Sequence, residues 1–320
     1  MTENLQFHIT SAFTRAGTTA QGNPAAICLV DRFPDENTMS LAAKYIGSPM
    51  TSFVRYTNDP DIFDIRHFSP DGKENHVCGH ATLAATEHLA YEHPEYRRGN
   101  KITFRLNPKY AINKDNEFKA YIKDHDITLT MPAITELESV NDPAFYTSLA
   151  DALRINKNDI VQPAFYAPRI INYVVALKDT KTLLSMKPDF KKLTALATSE
   201  KFPHEGVMAT TQSDTNDYDI FTRVFLPVIG VDEDIACGSS NCSIIPYWSL
   251  FRGDVFAADK QNFKVLFPYP PGKHENKVGG VQDLHVDLQS KSITITGQAS
   301  FQKTISLASN TDLGAPPRPS

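Results

Sequence analysis

The sequence predicts an α+β protein built from two similar domains, and three observations support this prediction. First, 320 residues are more than most single cores contain and suffice for two domains of ordinary size. Second, short alternating strands are interspersed with helical segments along the whole chain. Third, the pattern Arg-x-Phe-x-Pro, a loop, Cys-Gly and a helix begins at Arg66 and again at Arg223. The repeated pattern predicts a duplicated domain.

Hydrophobic periodicity and turn residues predict the elements in chain order. The predicted strands cover residues 7–13, 25–30, 51–56, 63–69, 101–106, 118–123, 126–132, 169–178, 206–211, 218–227, 283–289, 292–298 and 303–308. The predicted helices cover residues 35–47, 79–93, 143–155 and 186–200, and a loop followed by a helix covers 238–251.

The expected domain bounds are 1–125 and 126–308. The last strand of the second domain is expected to return to the first, and the Pro-rich tail 309–320 to be flexible.

The composition narrows the class of protein. Hydrophobic residues make up 41% and charged residues 22% of the chain, as in ordinary globular proteins. The formal net charge of −5 argues against a nucleic-acid partner and against a polybasic membrane surface. No window approaches the roughly 18 apolar residues of a membrane span. The N-terminal segment does not resemble a secretory signal, so a cytoplasmic protein is predicted.

The four cysteines are expected to be free thiols in such a compartment. Cys28 lies in the apolar run "AAICLV" and is predicted to be a small buried hydrophobe. Cys242 is predicted to be structural as well. Cys78 fits a buried structural thiol or a catalytic one, whereas the acidic, Gly/Ser-rich loop "GVDEDIACGSS" around Cys237 favours a functional role.

Other site chemistries fit the sequence poorly. The segment "HVCGH" supplies His76, Cys78 and His80, but their spacing, combined with Cys237 and Cys242, matches no standard zinc site. The sequence has neither a Gly-rich phosphate loop nor a GxSxG nucleophile elbow. Because the zinc spacing does not match, no metal is predicted. The role of His80 stays open: it caps its helix or binds the substrate.

Two Cys-Gly turns from similar domains suit one reaction. A thiol just before a helix is expected to have a lowered pKa, and the adjacent glycine lets a ligand approach the backbone. One thiolate can remove a weakly acidic Cα proton while the other thiol supplies a proton from the opposite side. The result is inversion at that carbon, and it requires no cofactor.

Three stretches resemble the signatures of the phenazine-biosynthesis PhzF-like proteins. They are "GNPAAICLV" (22–30), "RHFSP" with the following "CGHATLA" (66–84), and "RVFLPVIGVDEDIACGSSNCSIIPYW" (223–248). The resemblance implies a diaminopimelate-epimerase-like fold. In that fold each of two similar domains is a curled β-sheet around a central helix, and the active site lies in the cleft between them. A homodimer is compatible with the resemblance.

The sequence departs from the PhzF-like pattern at one catalytic position. In these isomerases an acidic residue within a segment resembling "LSETxF" moves the proton. The matching stretch here is "SPMTSF", with Met50 in place of the glutamate. Methionine cannot move a proton. His80, Asp234 and Ser239 match other active-site positions of the family and are expected to orient a substrate.

A second departure places cysteine at 237, where the PhzF-like pattern usually has threonine. Cysteines in both loops are instead similar to the diaminopimelate epimerases and proline racemases, and Asn23 resembles the early asparagine of the former. The resulting hypothesis is a cofactor-independent racemase or epimerase of an amino acid or related carboxylate, with Cys78 and Cys237 as the catalytic pair. The residues expected to bind this small-molecule substrate are Asn23, Gly79, His80, Asp234, Gly238 and Ser239.

Two alternatives stay open at this point. The protein could be a PhzF-like isomerase or cyclase of a small, secondary metabolite that uses His80 and Asp234. It could also be a catalytically inactive relative retained as a binding or scaffold protein, which the loss of the glutamate favours. The segment "NKVGG" (276–280), where relatives often carry "SxRGG", predicts a different mode of substrate recognition.

Overall fold

The computed structural model describes residues 4–75, 78–110, 117–268, 278–308, 311 and 313. The strands are β1 (Leu5–Thr14), β2 (Asn23–Val30), β3 (Thr51–Tyr56), β4 (Ile62–Phe68), β5 (Glu74–Asn75), β6 (Arg98–Leu106), β7 (Glu117–Lys123), β8 (Asp126–Pro132), β9 (Glu138–Val140), β10 (Ile160–Ala167), β11 (Asn172–Leu177), β12 (Gly206–Gln212), β13 (Ile220–Leu226), β14 (Val231–Asp234), β15 (Asn262–Pro268), β16 (Val278–Asp287) and β17 (Ser292–Leu307). The α-helices are α1 (Glu36–Ile46), α2 (Gly79–Glu92), α3 (Pro143–Leu153), α4 (Thr180–Ser185), α5 (Phe190–Ala197) and α6 (Asn241–Phe251).

The described chain divides into two compact units. Unit 1 contains the residues up to 18, residues 22–131 and those from 296 onward, and unit 2 contains residues 19–21 and 132–295. The division therefore lies after the predicted boundary at 125/126, because β8 pairs with β7 and stays in unit 1 except for its last residue, Pro132. The predicted flexible tail, 309–320, lies outside the described residues except for Thr311 and Leu313.

The sheet of unit 1 is mixed and follows a definite order of pairings. β1 pairs antiparallel with β2 and with the last strand, β2 pairs parallel with β3, and β3 pairs antiparallel with β4. β4 pairs antiparallel with β5 and parallel with β6, which continues antiparallel through β7 to β8. β8 also pairs with β17, so the sheet closes on itself.

Unit 2 repeats this order of pairings. β10 pairs antiparallel with β11, β11 parallel with β12, and β12 antiparallel with β13. β13 pairs antiparallel with β14 and parallel with β15, which pairs antiparallel with β16. α2 connects β5 to β6, and α6 connects β14 to β15, so the two helices occupy the same place in the two units.

The helix α2 is enclosed by the strands of unit 1. It contacts β1, β2, β3 and β7, and most of its side chains are buried around its whole circumference. Small and apolar residues such as Ala81, Ala84, Ala85 and Leu89 allow this close approach on every side. In contrast, α1 buries one face, including Met39 and Ala43, against the outside of the same sheet.

The helix α6 contains a proline, and the fold compensates for it. Pro246 has no N–H, so the carbonyl of Cys242 loses its partner within the helix. The backbone N–H of Ile134 donates to that carbonyl at 2.7 Å instead. The segment after β8 thus satisfies a buried acceptor in the helix that follows Cys237. No helix in the described ranges has the length and apolar character needed to cross a membrane.

Candidate active site

Cys78 lies at the N-terminus of α2, as the sequence predicted. It is the N-cap residue with extended backbone angles, and its side chain makes no capping hydrogen bond. The side chain is 8% exposed, and Sγ lies 3.2 Å from Nδ1 and 3.8 Å from Nε2 of His80. An imidazole at this distance can accept the proton of the thiol. His80 is therefore a partner of Cys78 rather than a residue whose side chain caps the helix.

The other predicted residues of unit 1 lie on the same helix or on a strand that contacts it. Gly79 is the first residue of α2, and Asn23 is the buried first residue of β2, a strand that contacts α2. Gly22 precedes it with φ 69°, and a Cβ at this position would lie 2.6 Å from the carbonyl oxygen of Ala12. Only glycine fits this turn, which leads the chain into β2.

Cys237 lies in a loop between β14 and α6. Asp234 is the last residue of β14, and residues 235–240 connect it to Asn241, the first residue of α6. The Cys237 side chain is 5% exposed, and its Sγ lies 3.5 Å from the Ser239 hydroxyl. The Ser240 hydroxyl donates to the Cys237 carbonyl at 2.8 Å. The loop is thus held by its own hydroxyl groups, and Cys237 is not the residue that caps the helix.

The protonation of Cys237 differs from the sequence-based expectation. Burial raises the pKa of this thiol well above its usual value, and the negative charge of Asp234 raises it further. The hydrogen bond from Ser239 opposes these effects without reversing them. The expected lowering of the pKa is therefore wrong for Cys237, because the thiol is buried, the charge of Asp234 acts on it, and the helix begins only at Asn241. Cys237 holds its proton at neutral pH.

Arg66 and Glu74 fix the segment that leads to Cys78. Arg66 Nε donates to Glu74 Oε1 at 2.7 Å, and a second bond joins Nη2 to the other carboxylate oxygen. Glu74 also accepts from the Asn107 side-chain amide, at 3.2 and 3.3 Å. The pair bridges β4 and β5, which ends three residues before the cysteine.

Arg223 and Glu233 form the corresponding pair before Cys237. Arg223 Nε and Nη2 donate to the two carboxylate oxygens at 2.7 and 2.9 Å, while Nη1 donates to the Leu183 and Met186 carbonyls, both at 3.0 Å. The repeated Arg-x-Phe-x-Pro pattern includes both arginines but not their glutamate partners, which were not predicted. The available signal was a glutamate four residues before each Cys-Gly.

Comparison with known proteins now identifies the family. The family model described as phenazine biosynthesis-like protein matches residues 10–304. This chain belongs to the phenazine biosynthesis-like (PhzC-PhzF) family. An uncharacterised isomerase of Halalkalibacterium halodurans is 27% identical over 292 residues, which cover 91% of this chain and 94% of that protein.

Solved structures confirm the predicted fold class. A PhzF-family protein of Bacillus anthracis has a TM-score of 0.75 at 20% identity and covers 95% of this chain and 99% of its own. A probable proline racemase of Agrobacterium radiobacter has a TM-score of 0.57 at 13% identity and covers 96% and 93%. The fold is therefore the diaminopimelate-epimerase-like α+β fold shared by these groups.

In this PhzF-like chain the side chain of Met50 is a thioether, which has no proton to transfer. Met50 directly precedes β3, is 8% exposed, and its carbonyl accepts the Ala26 N–H at 2.8 Å. The backbone of the family segment is thus anchored to β2, while the side chain at the glutamate position is a thioether. Cys78 and His80 are titratable side chains at the N-terminus of α2 that the structure describes.

The remaining cysteines of this PhzF-like chain confirm the structural role predicted for them. Cys28 is buried in the cluster that covers α1, and burial raises its pKa to about 12. Cys242 is buried in the first turn of α6, and burial raises its pKa to about 12 as well. Among the described residues no group of three or more His, Cys, Asp or Glu side chains is arranged to hold a metal ion. His76 lies outside those residues.

Proposed function

We propose that this PhzF-like protein is a cofactor-independent isomerase that inverts the α-carbon of an amino acid or related small carboxylate. Cys78 and Cys237 are its two acid/base groups. The name of the relative in Halalkalibacterium halodurans supports isomerase chemistry in general. The observation that carries the proposal is the equivalent position of the two cysteines in a repeated topology, with opposite surroundings for the proton.

Cys78 acts as the base in the reaction direction in which it starts as a thiolate and Cys237 starts as a thiol. His80 takes the thiol proton at the 3.2 Å contact, and the backbone N–H groups at the start of α2 stabilise the negative sulfur. The thiolate then removes the Cα proton. The bonding pair of the C–H bond moves into the adjacent carboxylate as an enolate-like charge.

Cys237 is the acid of the same step. Its raised pKa keeps the proton on sulfur until a carbanion-like carbon is present to accept it. The S–H bond breaks as the new Cα–H bond forms on the opposite side, so one proton is lost and one is gained. Asp234 supports this role, because its charge disfavours a thiolate at Cys237.

The substrate carboxylate is assigned to backbone donors. The N–H groups around Gly79, His80, Gly238 and Ser239 belong to the two Cys-Gly turns, and the side chain of Asn23 adds an amide. Such donors oppose the charge that develops on the carboxylate when the Cα proton leaves. When the substrate is an amino acid, the carboxylate of Asp234 also suits its ammonium group.

The test is exchange of the α-proton with solvent. The reduced protein is incubated in D₂O with a panel of L- and D-amino acids, and deuterium uptake and enantiomer ratio are followed by NMR and chiral chromatography. Deuterium at Cα with inversion is expected for at least one substrate. Both Cys78→Ser and Cys237→Ser should abolish inversion, since a serine hydroxyl is a far weaker acid than a thiol.

Cys28→Ala is the matched control, because it removes a buried thiol from a structural cluster and should leave exchange unchanged. Exchange that survives both serine substitutions would contradict the two-thiol mechanism and would favour an isomerase that uses His80 and Asp234. A protein that exchanges no α-proton of any panel member would contradict amino-acid racemisation.

A further inference from the structure

The strand β16 packs closely against the Cys237 loop, residues 235–240. A Cβ at Gly279 on β16 would lie 2.3 Å from the carbonyl oxygen of Ile235 and 3.0 Å from that of Phe267. No side chain fits between these backbones, so only glycine allows the contact. Because Ile235 stands two residues before Cys237, β16 lies directly against the segment that leads to the thiol.

A β-bulge gives Gly279 this place. In the ladder between β15 and β16, Phe267 is opposite Gly280 and Pro268 is opposite Val278, so Gly279 is the extra residue. An insertion of this kind bends its strand and re-aims the neighbouring side chains, and bulges are frequent next to active sites. The first glycine of the segment "NKVGG" therefore has a packing requirement beside the Cys237 loop.

A second contact joins β16 to the other end of the loop. Nδ2 of Asn241, the first residue of α6, donates to Oε1 of Gln282 at 2.7 Å, and both side chains are 0% exposed. The backbone N–H of Asn241 donates in turn to the carbonyl of Gly238 at 3.2 Å. Gln282 is therefore linked through Asn241 to the residue that follows Cys237.

The amide pair leaves half of its polar atoms unpaired within the part of the chain that the structure describes. These atoms are Oδ1 of Asn241 and Nε2 of Gln282, and both are buried. A half-satisfied buried pair adds little stability, and two apolar residues of similar shape can replace such a pair at almost no cost. The position that the pair gives to the loop explains it better than the stability that it adds.

We propose that Gly279 and Gln282 are positioning residues for Cys237. The first holds the chain before the thiol through Ile235, and the second holds the chain after it through Asn241. The sulfur is thus fixed between two anchored points, as an acid requires when it delivers a proton to one face of a carbon. The inference rests on the proposed function only for this use of the thiol.

The first test measures the reactivity of Cys237. Alkylation by iodoacetamide is followed by peptide mass spectrometry between neutral and alkaline pH in the wild-type protein and in Gly279→Ala. The added methyl group displaces the carbonyl of Ile235, so the loop opens and exposes a thiol that is 5% exposed in the wild type. Labelling of Cys237 should therefore begin at a lower pH, while the Cys78 profile should not move.

Gly253→Ala is the matched control for Gly279→Ala. Among the described residues no heavy atom apart from the chain neighbours lies within 4 Å of a Cβ at Gly253. Its labelling profile should equal that of the wild type. A Cys237 profile that is the same in Gly279→Ala and in the wild type would overturn the proposal for Gly279, and so would equal shifts in the two alanine variants.

The amide pair is tested by two single variants and their combination. Asn241→Leu and Gln282→Leu each strand one buried amide and should lower Tm, whereas the double variant removes both amides and should regain most of the loss. A merely structural pair predicts that Cys237 labelling returns to the wild-type rate together with Tm. A positioning pair predicts labelling that stays about fivefold faster in the double variant, the factor for a lost hydrogen bond of about 1 kcal/mol.

Thr211→Val is the control for stability alone. It removes a buried hydroxyl of unit 2 that donates to the Leu177 carbonyl at 3.0 Å, so it should lower Tm without changing the labelling of Cys237. If the double variant does not fold, Gln282→Leu is compared with Thr211→Val at temperatures equally far below each Tm. Equal labelling of Cys237 in these two variants would then overturn the proposal for Gln282.

These measurements do not depend on turnover. If labelling responds as expected and no α-proton exchange is observed, the positioning of Cys237 stands and the proposed function fails. If exchange with inversion is observed and neither Gly279→Ala nor the double variant changes labelling or inversion, the proposed function stands and the positioning of Cys237 by β16 is wrong.

Discussion

The Cys78 turn and the Cys237 loop follow one backbone plan and provide two different environments. Each begins on a strand whose arginine binds a glutamate on the next short strand, and each glutamate stands four residues before its cysteine. After the cysteine the two diverge. Cys78 is the N-cap residue of α2, and its sulfur contacts His80. Cys237 lies in a loop, since residues 238–240 come between it and α6, and the charge of Asp234 raises its pKa.

The divergence shows that a Cys-Gly turn does not by itself determine the charge of its thiol. Burial and the neighbouring titratable side chain determine it together: burial raises the pKa of the Cys237 thiol, the carboxylate of Asp234 raises it further, and an imidazole such as His80 can accept a thiol proton. A duplicated framework can therefore supply a base from one unit and an acid from the other.

The largest expected difference between the two regions concerns their arginine pairs. Arg223→Met should lower the free energy of unfolding by about 3–5 kcal/mol, because it strands a buried carboxylate and two carbonyls. Arg66→Met should cost less, about 1–3 kcal/mol, since Glu74, although as buried as Glu233, keeps the amide of Asn107 as a donor. Chemical denaturation followed by circular dichroism measures both.

Lys192→Met is the control for these substitutions. Lys192 pairs with Asp151, and both side chains are more than half exposed, so its loss should have a small effect. Equal destabilisation by Arg66→Met and Arg223→Met would contradict this prediction. It would mean that the Asn107 amide and the two carbonyls bound by Arg223 do not make the two pairs different in stability.

The next effect concerns the carboxylate beside Cys237. Asp234→Asn removes the charge that, in addition to burial, raises the pKa of this thiol, so the pKa should fall while staying raised by burial. Alkylation of Cys237 should then begin at a lower pH, while the Cys78 profile stays unchanged. Peptide-resolved labelling between neutral and alkaline pH measures the shift.

Asp232→Asn provides the matched control for Asp234→Asn. Asp232 is an exposed carboxylate in the same strand, so water and salt screen its charge. A shift of the same size in both variants would indicate a general charge effect rather than a specific contact with Asp234.

The smallest effect separates folding from catalysis in the two serine variants. Cys78→Ser should leave stability unchanged or raise it by about 0.5 kcal/mol, because serine is a favoured N-cap and Cys78 makes no capping bond. Cys237→Ser should lower stability by about 1 kcal/mol, because it places a hydroxyl at a buried position outside the cap. Thermal unfolding compares them. A Cys78→Ser protein less stable than Cys237→Ser would contradict the assigned N-cap.

Several elements were predictable because their local signals agree with their tertiary environment. The helix α1 begins after Asp35, which accepts the N–H of Thr38 at 2.9 Å, and ends at Gly47 in the left-handed conformation. The strand β3 has the predicted bounds, 51–56.

Most of the elements that sequence patterns missed lack such signals. The strand β10 contains Pro163, which weakens a strand pattern, and β5 is only two residues long. The two predicted strands at 292–298 and 303–308 are one strand, β17, because pairing with β1 continues through residues 298–307. β15 was missed although its pattern alternates.

The sequence by itself determined the fold class, the repeated Arg-x-Phe-x-Pro…Cys-Gly pattern and the assignment to the PhzF-like family. These depend on local propensity and on residues whose spacing survives as a pattern. The tertiary structure decided the surroundings of each thiol, the pairing of Asn241 with Gln282 and the glutamate partners of the two arginines. Those contacts join different strands and helices, and burial and charge at a given atom depend on neighbours that are distant in the chain.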